Sequence, residues 1–451
     1  MPPALLTAAL ATPLLALRRL GRPPALASLG EGEVRSYAAG IAYMLQARLW
    51  ALLRGAPGWR EVHRAWRQAS GGDAAQRRDA LAGEQHRLHA DDRIELVADG
   101  AAGFARREAL YEGAARSIDI ASYYLQSDAT GRATVRALLG AVRRGVRVRL
   151  LVDRFMTFKK TQEVEGLPAL LAEAVAGGIA LRQWHDPQRP YDSNHRKMII
   201  VDGAAALVGG RNFADHYRGD AWRDLDLVLH GPSVAPLARL FEAVWVAAAA
   251  GAAEGSGAAI GRAVPQVAPW LDHTPAGVLA DPMMRFALAA IGAASRSVEL
   301  ELAYFVAHEP LVEALAAAAR RGVAVRLLTN SAASNDLPFA TWTTYEGLRR
   351  ILEGGCAVHL RRGKGRTLHC KYLVVDGRWV SFGSHNLDYF SPRFCCETNL
   401  VVDDARLARE LLAFFDSGWS EAMAATPAEV QQWLQGATRL RWFDRAFRDF
   451  Q

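Results

Sequence analysis

Apolar and polar positions along this chain repeat in one order twice. Ser117-Ile-Asp-Ile-Ala-Ser-Tyr-Tyr-Leu125 alternates and then runs apolar, which predicts a strand. Arg132–Arg144 follows as a helix-like stretch closing in Arg143-Arg-Gly145, and cations in a last turn before glycine stop a helix. Val146, Val148, Leu150 and Leu151 then predict a second strand, up to Asp153. The order returns with Ser297-Val-Glu-Leu-Glu-Leu-Ala-Tyr-Phe305, a helical stretch over Leu311–Arg321, and Arg320-Arg-Gly-Val-Ala-Val-Arg-Leu-Leu-Thr-Asn330. The copies lie 180 residues apart at the first strand and 177 at the end of the helix. Strand–helix–strand at this spacing predicts a right-handed βαβ unit. The expected fold is therefore α/β: two tandem domains, each a mixed, mostly parallel sheet flanked by helices.

The pattern sets expected boundaries of 91–245 and 275–430 for the two domains. The Ala-, Gly- and Ser-rich stretch within 246–274 reads as a linker. Residues 1–90 read as a helical extension and 431–451 as a closing helix. Pro3–Leu17 is apolar but short and without a basic start, which gives little support to a signal peptide. Tyr37–Leu53 has two readings, a helix buried against the main body or one lying in a membrane interface. No stretch reads as a membrane-spanning helix of about 20 apolar residues.

Composition sharpens this picture in two places. Hydrophobic residues make up 51% and charged residues 22% of the 451, as in a folded globular chain. The formal net charge is +7, and residues 1–90 hold twelve arginines, no lysine and six acidic residues. Most of the excess thus sits in the extension, where it suits an anionic partner. Four cysteines, Cys356, Cys370, Cys395 and Cys396, form no C-x-x-C pair and read as reduced, buried thiols.

The repeat continues into residues that carry chemistry. The first copy reads Asn194-His195-Arg196-Lys197-Met-Ile-Ile-Val-Asp202-Gly203, then Gly209-Gly210-Arg211-Asn212. The second reads Leu368-His369-Cys370-Lys371-Tyr-Leu-Val-Val-Asp376-Gly377, then Gly383-Ser384-His385-Asn386. His to Lys is two in both, His to Asp seven, and Asp to Asn ten. On a strand, residues two apart share a face, so each His and Lys reach one pocket. Asp202 and Asp376, at odd separation, are expected to hold the Asp-Gly turns. Asn212 and Asn386 can donate to a phosphate oxygen. Asp224 and Glu397 follow the histidines by 29 and 28 residues, and each is expected to orient a histidine.

These paired motifs resemble the HKD motifs of the phospholipase D superfamily, over about residues 92–420. The resemblance implies two halves about a pseudo-twofold axis with one active site between them. It implies a catalytic set of His195, Lys197, Asp202, His369, Lys371 and Asp376. His195 would attack phosphorus to form a phosphohistidine and His369 would act as acid and base, with the converse assignment open. Lys197, Lys371, Asn212, Asn386 and Ser384 would hold the phosphate oxygens. Gly210 departs from the family's serine, which removes one hydroxyl from the first half-site. Such chemistry needs neither metal nor cofactor, and the sequence has no dense carboxylate or Cys/His cluster.

Within the superfamily, Val208-Gly-Gly-Arg-Asn-Phe213, Arg223-Asp-Leu-Asp-Leu227 and Ser122-Tyr-Tyr124 resemble cardiolipin synthase-type phosphatidyltransferases. The implied partners are an anionic phospholipid substrate and a membrane surface, with peripheral attachment at the cytoplasmic face of a bacterial inner membrane. The alternatives are a hydrolytic phospholipase D, a nuclease, and a binding protein with a decayed site. Both His–Lys pairs are intact, against the last. No basic stripe with interleaved aromatics marks the domains, against nucleic acid. One chain supplies both half-sites, so an oligomer is not required.

Overall fold

The computed structural model describes residues 31–73, 87–161, 165–250, 269–306, 308–337 and 341–436, with a few isolated positions before 31 and between 74 and 86. Pro3–Leu17, the middle of the 246–274 segment and residues 437–451 lie largely or wholly outside the described residues.

The first domain is built on a seven-stranded sheet: β1 (Arg93–Val97), β2 (Ser117–Ser122), β3 (Arg147–Asp153), β4 (Ala180–Trp184), β6 (Met198–Val201), β7 (Ala205–Gly209) and β8 (Asp226–His230), in the order β1-β8-β7-β6-β2-β3-β4. The two-residue β5 (Ser193–Asn194) leaves this sheet. The second sheet contains β9 (Trp270–His273), β10 (Ser297–Leu302), β11 (Ala324–Asn330), β12 (Ala357–Arg361), β13 (Lys371–Val375), β14 (Trp379–Gly383), β15 (Cys395–Asp403) and β16 (Met423–Ala424). Its order is β16-β12-β11-β10-β13-β14-β15-β5, with β9 also on β15.

Parallel pairing within each domain is confined to the repeated βαβ segment, β2-β3-β4 and β10-β11-β12. Helices Ala129–Arg143 and Glu309–Arg320 make the crossovers, and each stops before a left-handed glycine, Gly145 at φ 87° and Gly322 at φ 88°. The mostly parallel sheet expected from the pattern is corrected here. The strands after each histidine return as hairpins, so β6-β7-β8 and β13-β14-β15 are antiparallel. The domain limits also move. Helix Val234–Ala250 carries the first domain past 245, β9 joins the second sheet within the expected linker, and helix Pro427–Gly436 begins before 431.

One hydrophobic cluster spans both halves. Leu227, Phe241 and Met198 of the first half pack in one cluster with Cys370, Tyr372 and Phe415 of the second. All four cysteines are free and buried. One helical stretch among the described residues, Pro275–Ala293, is long and apolar enough to cross a membrane, but 61% of it is buried within the second half. In the extension, helix Glu31–Leu53 stacks Tyr43 on Phe155 of the first half (ring centroids 3.7 Å apart), and helix Trp59–Ala69 buries Trp66 against the second half, donating to the Val278 carbonyl at 2.8 Å.

Candidate active site

The Asp-Gly turns explain how each histidine is aimed. Asp202 and Gly203 (φ 54° and 66°), like Asp376 and Gly377 (55° and 63°), are left-handed in pairs, the geometry of a two-residue hairpin turn. The Asp202 carboxylate accepts the backbone N–H of Ala115, Arg116 and Ser117 at 2.7–2.9 Å. Asp376 accepts those of Ser295, Arg296 and Ser297 at 2.7–3.1 Å. These bonds hold both carboxyls below their usual range although partial burial pulls the other way. Asp202 and Asp376 therefore lock the hairpins to the starts of β2 and β10. Their inclusion in a catalytic set is corrected: they sit at the far ends of the strands.

At the near ends the halves exchange partners. β5 pairs in parallel with β15, and an isolated parallel bridge joins Arg223 to Leu368. The His195 N–H donates to the Cys396 carbonyl at 3.0 Å, and its Nδ1 lies 2.9 and 3.0 Å from the two oxygens of Glu397. The His369 N–H donates to the Arg223 carbonyl at 2.8 Å, and its Nδ1 lies 2.8 Å from Asp224 Oδ2. The acid that orients each histidine thus comes from the opposite half, next to the carbonyl that holds the same histidine's backbone.

Both imidazoles open into one cavity of about 260 Å³. Asn212 and Asn386 line it too, each with a buried amide oxygen that has no protein partner among the described residues. The Lys197 ammonium donates to the His195 carbonyl at 2.7 Å, and Lys371 donates to the His369 carbonyl. Burial, opposed by Glu397, pushes His195 down to about 4, and the two motif lysines push the same way. Burial, Lys371, Lys197 and His195 together push His369 well below its usual value. Groups from both halves thus repel protons from the same two rings. Burial would raise Glu397, but His195 and nearby cations hold it well below the carboxylate range. An ionised carboxylate accepts a hydrogen bond from Nδ1–H, which leaves the Nε2 lone pair of a neutral imidazole for the cavity.

Ser384 is a second correction. Its hydroxyl donates to the Thr398 carbonyl at 3.3 Å and accepts the Thr398 N–H at 3.0 Å, so it braces β15; like Lys197 and Lys371, it is absent from the cavity lining. Gly210 has a steric reason. A Cβ there would lie 2.3 Å from Asp224 Oδ1, inside the carboxylate that orients His369.

Two positioning groups carry no motif of their own. Asp153 accepts the Asn194 N–H at 2.9 Å, and Asn330 accepts the Leu368 N–H at 2.8 Å. Each ends the second strand of its βαβ unit and holds the residue just before a histidine. Their equivalence in the repeat was the available signal. The buried Arg196–Asp272 pair (2.7 Å) and the part-buried Arg223–Glu301 pair (2.6 Å) cross between the halves beside the same histidines.

His195, Cys395 and Glu397 place ligand atoms within 4.8 Å of one another and are a grouping with metal-binding potential. Both Glu397 oxygens, however, stand at hydrogen-bond distance from His195 Nδ1, and burial pushes the Cys395 thiol far up, away from the thiolate a metal needs. The trio fits an oriented histidine.

Residues 109–245 and 287–419 match the family described as "Cardiolipin synthase, PLD-like domain". Among curated proteins, the chain is 28% identical over 362 residues to cardiolipin synthase A of Pseudomonas entomophila, covering 75% of this chain and 70% of that one. It is 28% identical over 359 residues to cardiolipin synthase of Geobacillus kaustophilus, covering 73% and 68%. The structure of phosphatidylserine synthase from Haemophilus influenzae superposes with a TM-score of 0.68 at 14% identity, over 84% of this chain and all of that one, which shows a shared fold.

Proposed function

The chain belongs to the phospholipase D-like enzymes of the cardiolipin synthase type, and from that membership we propose that it is a phospholipid phosphatidyltransferase working through a covalent phosphohistidine. The observation that carries this reading is the reciprocal pairing of His195 with Glu397 and His369 with Asp224 around one cavity.

In the proposed reaction His195 Nε2 attacks phosphorus while the P–O bond to the leaving alcohol breaks and His369 gives that oxygen a proton. An acceptor alcohol then loses its proton to His369 and attacks phosphorus, breaking the P–N bond. Glu397 stabilises the charge that develops on His195. Both imidazoles are neutral in the free site, so the incoming phosphodiester anion must supply the field that lets His369 hold a proton. Lys197 and Lys371 offset charge on the non-bridging oxygens, and Asn212 and Asn386 orient them.

The extension supports work at a lipid surface. On helix Glu31–Leu53, Gly40, Ile41 and Tyr43 line the cavity. Leu45, Leu49 and Leu53, spaced by four, form a ridge whose exposure rises from 38% through 58% to 77%. Exposed Arg54, Arg60 and Arg64 follow directly. An apolar ridge beside basic residues suits an anionic bilayer, and this one would bring the cavity to its substrate.

Vesicles of phosphatidylglycerol test the function. Cardiolipin and glycerol as products support the transferase. Phosphatidate as the sole lipid product identifies a hydrolase, and intact lipid alongside cleaved DNA overturns the lipid reading.

A further inference from the structure

The two motif asparagines sit at equivalent places, and the loops that carry them are held differently. Arg211 precedes Asn212, and its guanidinium pairs with Asp226 at 3.1 Å and donates to the Val97 carbonyl at 3.2 Å. In the same register of the second half, His385 precedes Asn386. The His385 ring is buried and fixed from two sides. The Leu387 N–H donates to its Nδ1 at 2.9 Å, which places the lone pair on that nitrogen and the proton on Nε2, 3.0 Å from Asp281 Oδ2. Asp281 is anchored in turn. Its Oδ1 accepts the N–H of Met283 and Met284 at 2.9 and 3.0 Å and caps helix Pro282–Ala293. His273 Nδ1 lies 3.9 Å from the same Oδ2, and its Nε2 donates to the Pro392 carbonyl at 2.8 Å, which braces the far end of the loop.

Leu387 is where this hold acts. It is left-handed at φ 58°, and the other left-handed non-glycine residues among those described are Asp202 and Asp376 of the hairpin turns. Aspartate visits that region readily, whereas a leucine stays there only when its surroundings impose it. The Leu387 side chain lies in the core, and the residues on either side of it, Asn386 and Asp388, both line the cavity. In the first half Phe213 and Ala214 follow Asn212 without left-handed backbone, and neither lines the cavity. We propose that His385 and Asp281 are positioning residues: the ring, fixed by Asp281, holds Leu387 left-handed and so aims Asn386 and Asp388 at the phosphodiester between the two histidines. The inference rests on the reading of the cavity as a phosphodiester site.

The test uses the full chain with phosphatidylglycerol vesicles and counts cardiolipin plus phosphatidate, so that transfer and hydrolysis are both read. His385→Ala should lower kcat about tenfold or more with KM within about threefold, because the groups it aims act on the transition state. His385→Asn, whose side-chain oxygen can accept the N–H two residues on, should recover kcat to within about threefold of wild type. Asp281→Asn keeps the helix cap but offers Nε2 a donor, which drives the ring proton to Nδ1, so it should lose kcat as His385→Ala does. The decisive comparison repeats both in a Leu387→Gly background, where left-handed backbone meets no Cβ and each should cost less than about threefold. Should His385→Ala fail to fold, Asp281→Asn in the two backgrounds decides alone. Equal losses in both backgrounds, or a lowered unfolding midpoint with kcat unchanged, make His385 a packing residue and overturn the proposal. Phosphatidate as the sole product of the wild type overturns the transferase reading, while the ratios among variants still decide the positioning role.

Discussion

The two half-sites are built to one plan and finished differently. In one, His195 faces both oxygens of Glu397. In the other, His369 faces one oxygen of the shorter Asp224, whose second oxygen accepts the Leu225 N–H at 2.8 Å. The shorter acid draws its carboxylate against Gly210, where a side chain has no room, while the longer Glu397 leaves Ser384 in place. Their electrostatics diverge as well. His195 and nearby cations hold Glu397 ionised, whereas burial raises the Asp224 carboxyl against the pull of Lys371 and Arg211. A firmly ionised partner makes its histidine the better nucleophile, which is consistent with the proposed attack by His195 and proton transfer by His369. Duplication supplied two equivalent imidazoles, and small changes around them make the two half-sites unequal.

The largest effect should come from the histidines. His195→Ala and His369→Ala should each lower turnover about 10⁴-fold or more, because each ring performs a separate step. A steady-state assay with labelled phospholipid measures this, and near-normal activity in either variant would mean that the halves do not act as one site. Next come the crossed acids. Glu397→Gln and Asp224→Asn should each reduce turnover about 10²-fold or more, with folding retained by circular dichroism. If Asp224→Asn left turnover intact, the exchange between halves would be structural only.

The pH profile sharpens the same comparison. His195, held down to about 4, keeps its lone pair as pH falls until that range and loses it below. Lys197, pushed down to about 7 by burial, loses its charge as pH rises through that value. The kcat/KM profile of the free enzyme should therefore have an acid limb near pH 4, and should fall on the alkaline side as His369, itself held low, gives up the proton it must donate and further as Lys197 discharges near pH 7. An acid limb at the ordinary histidine value would show His195 to be solvated. The smallest expected effect separates the two serine-equivalent positions. Gly210→Ala should cost about tenfold in turnover by displacing Asp224. Ser384→Ala, which loses a backbone brace, should lower stability by about 1 kcal/mol with little change in rate.

Much of this arrangement was legible in the sequence. The repeat marked both βαβ units, and the offset of seven from histidine to aspartate marked the Asp-Gly turns. The sheets were read as too parallel because a strand's direction depends on its neighbour, and a run such as Met-Ile-Ile-Val looks the same in either sense. The exchange of Glu397 and Asp224 was out of reach for a related reason: the near-equal spacings of 29 and 28 suit a partner in the same half or in its twin. Ser384 was misread because a hydroxyl beside a motif carries no sign of which way it faces. Asp153 and Asn330 differ in type, so their common job, an oxygen that accepts one backbone N–H, appears only once that N–H is in place.

In the proposed reaction one phosphorus passes through His195 while His369 moves the proton. The direct measurement is peptide mass spectrometry of enzyme quenched in alkaline denaturant during turnover of phosphatidylglycerol. Wild-type enzyme should carry a phosphatidyl adduct on the peptide containing His195, His369→Ala should carry little because the leaving alcohol is no longer protonated, and His195→Ala should carry none. An adduct on the His369 peptide would reverse the two roles, and wild-type turnover with no adduct would contradict covalent transfer.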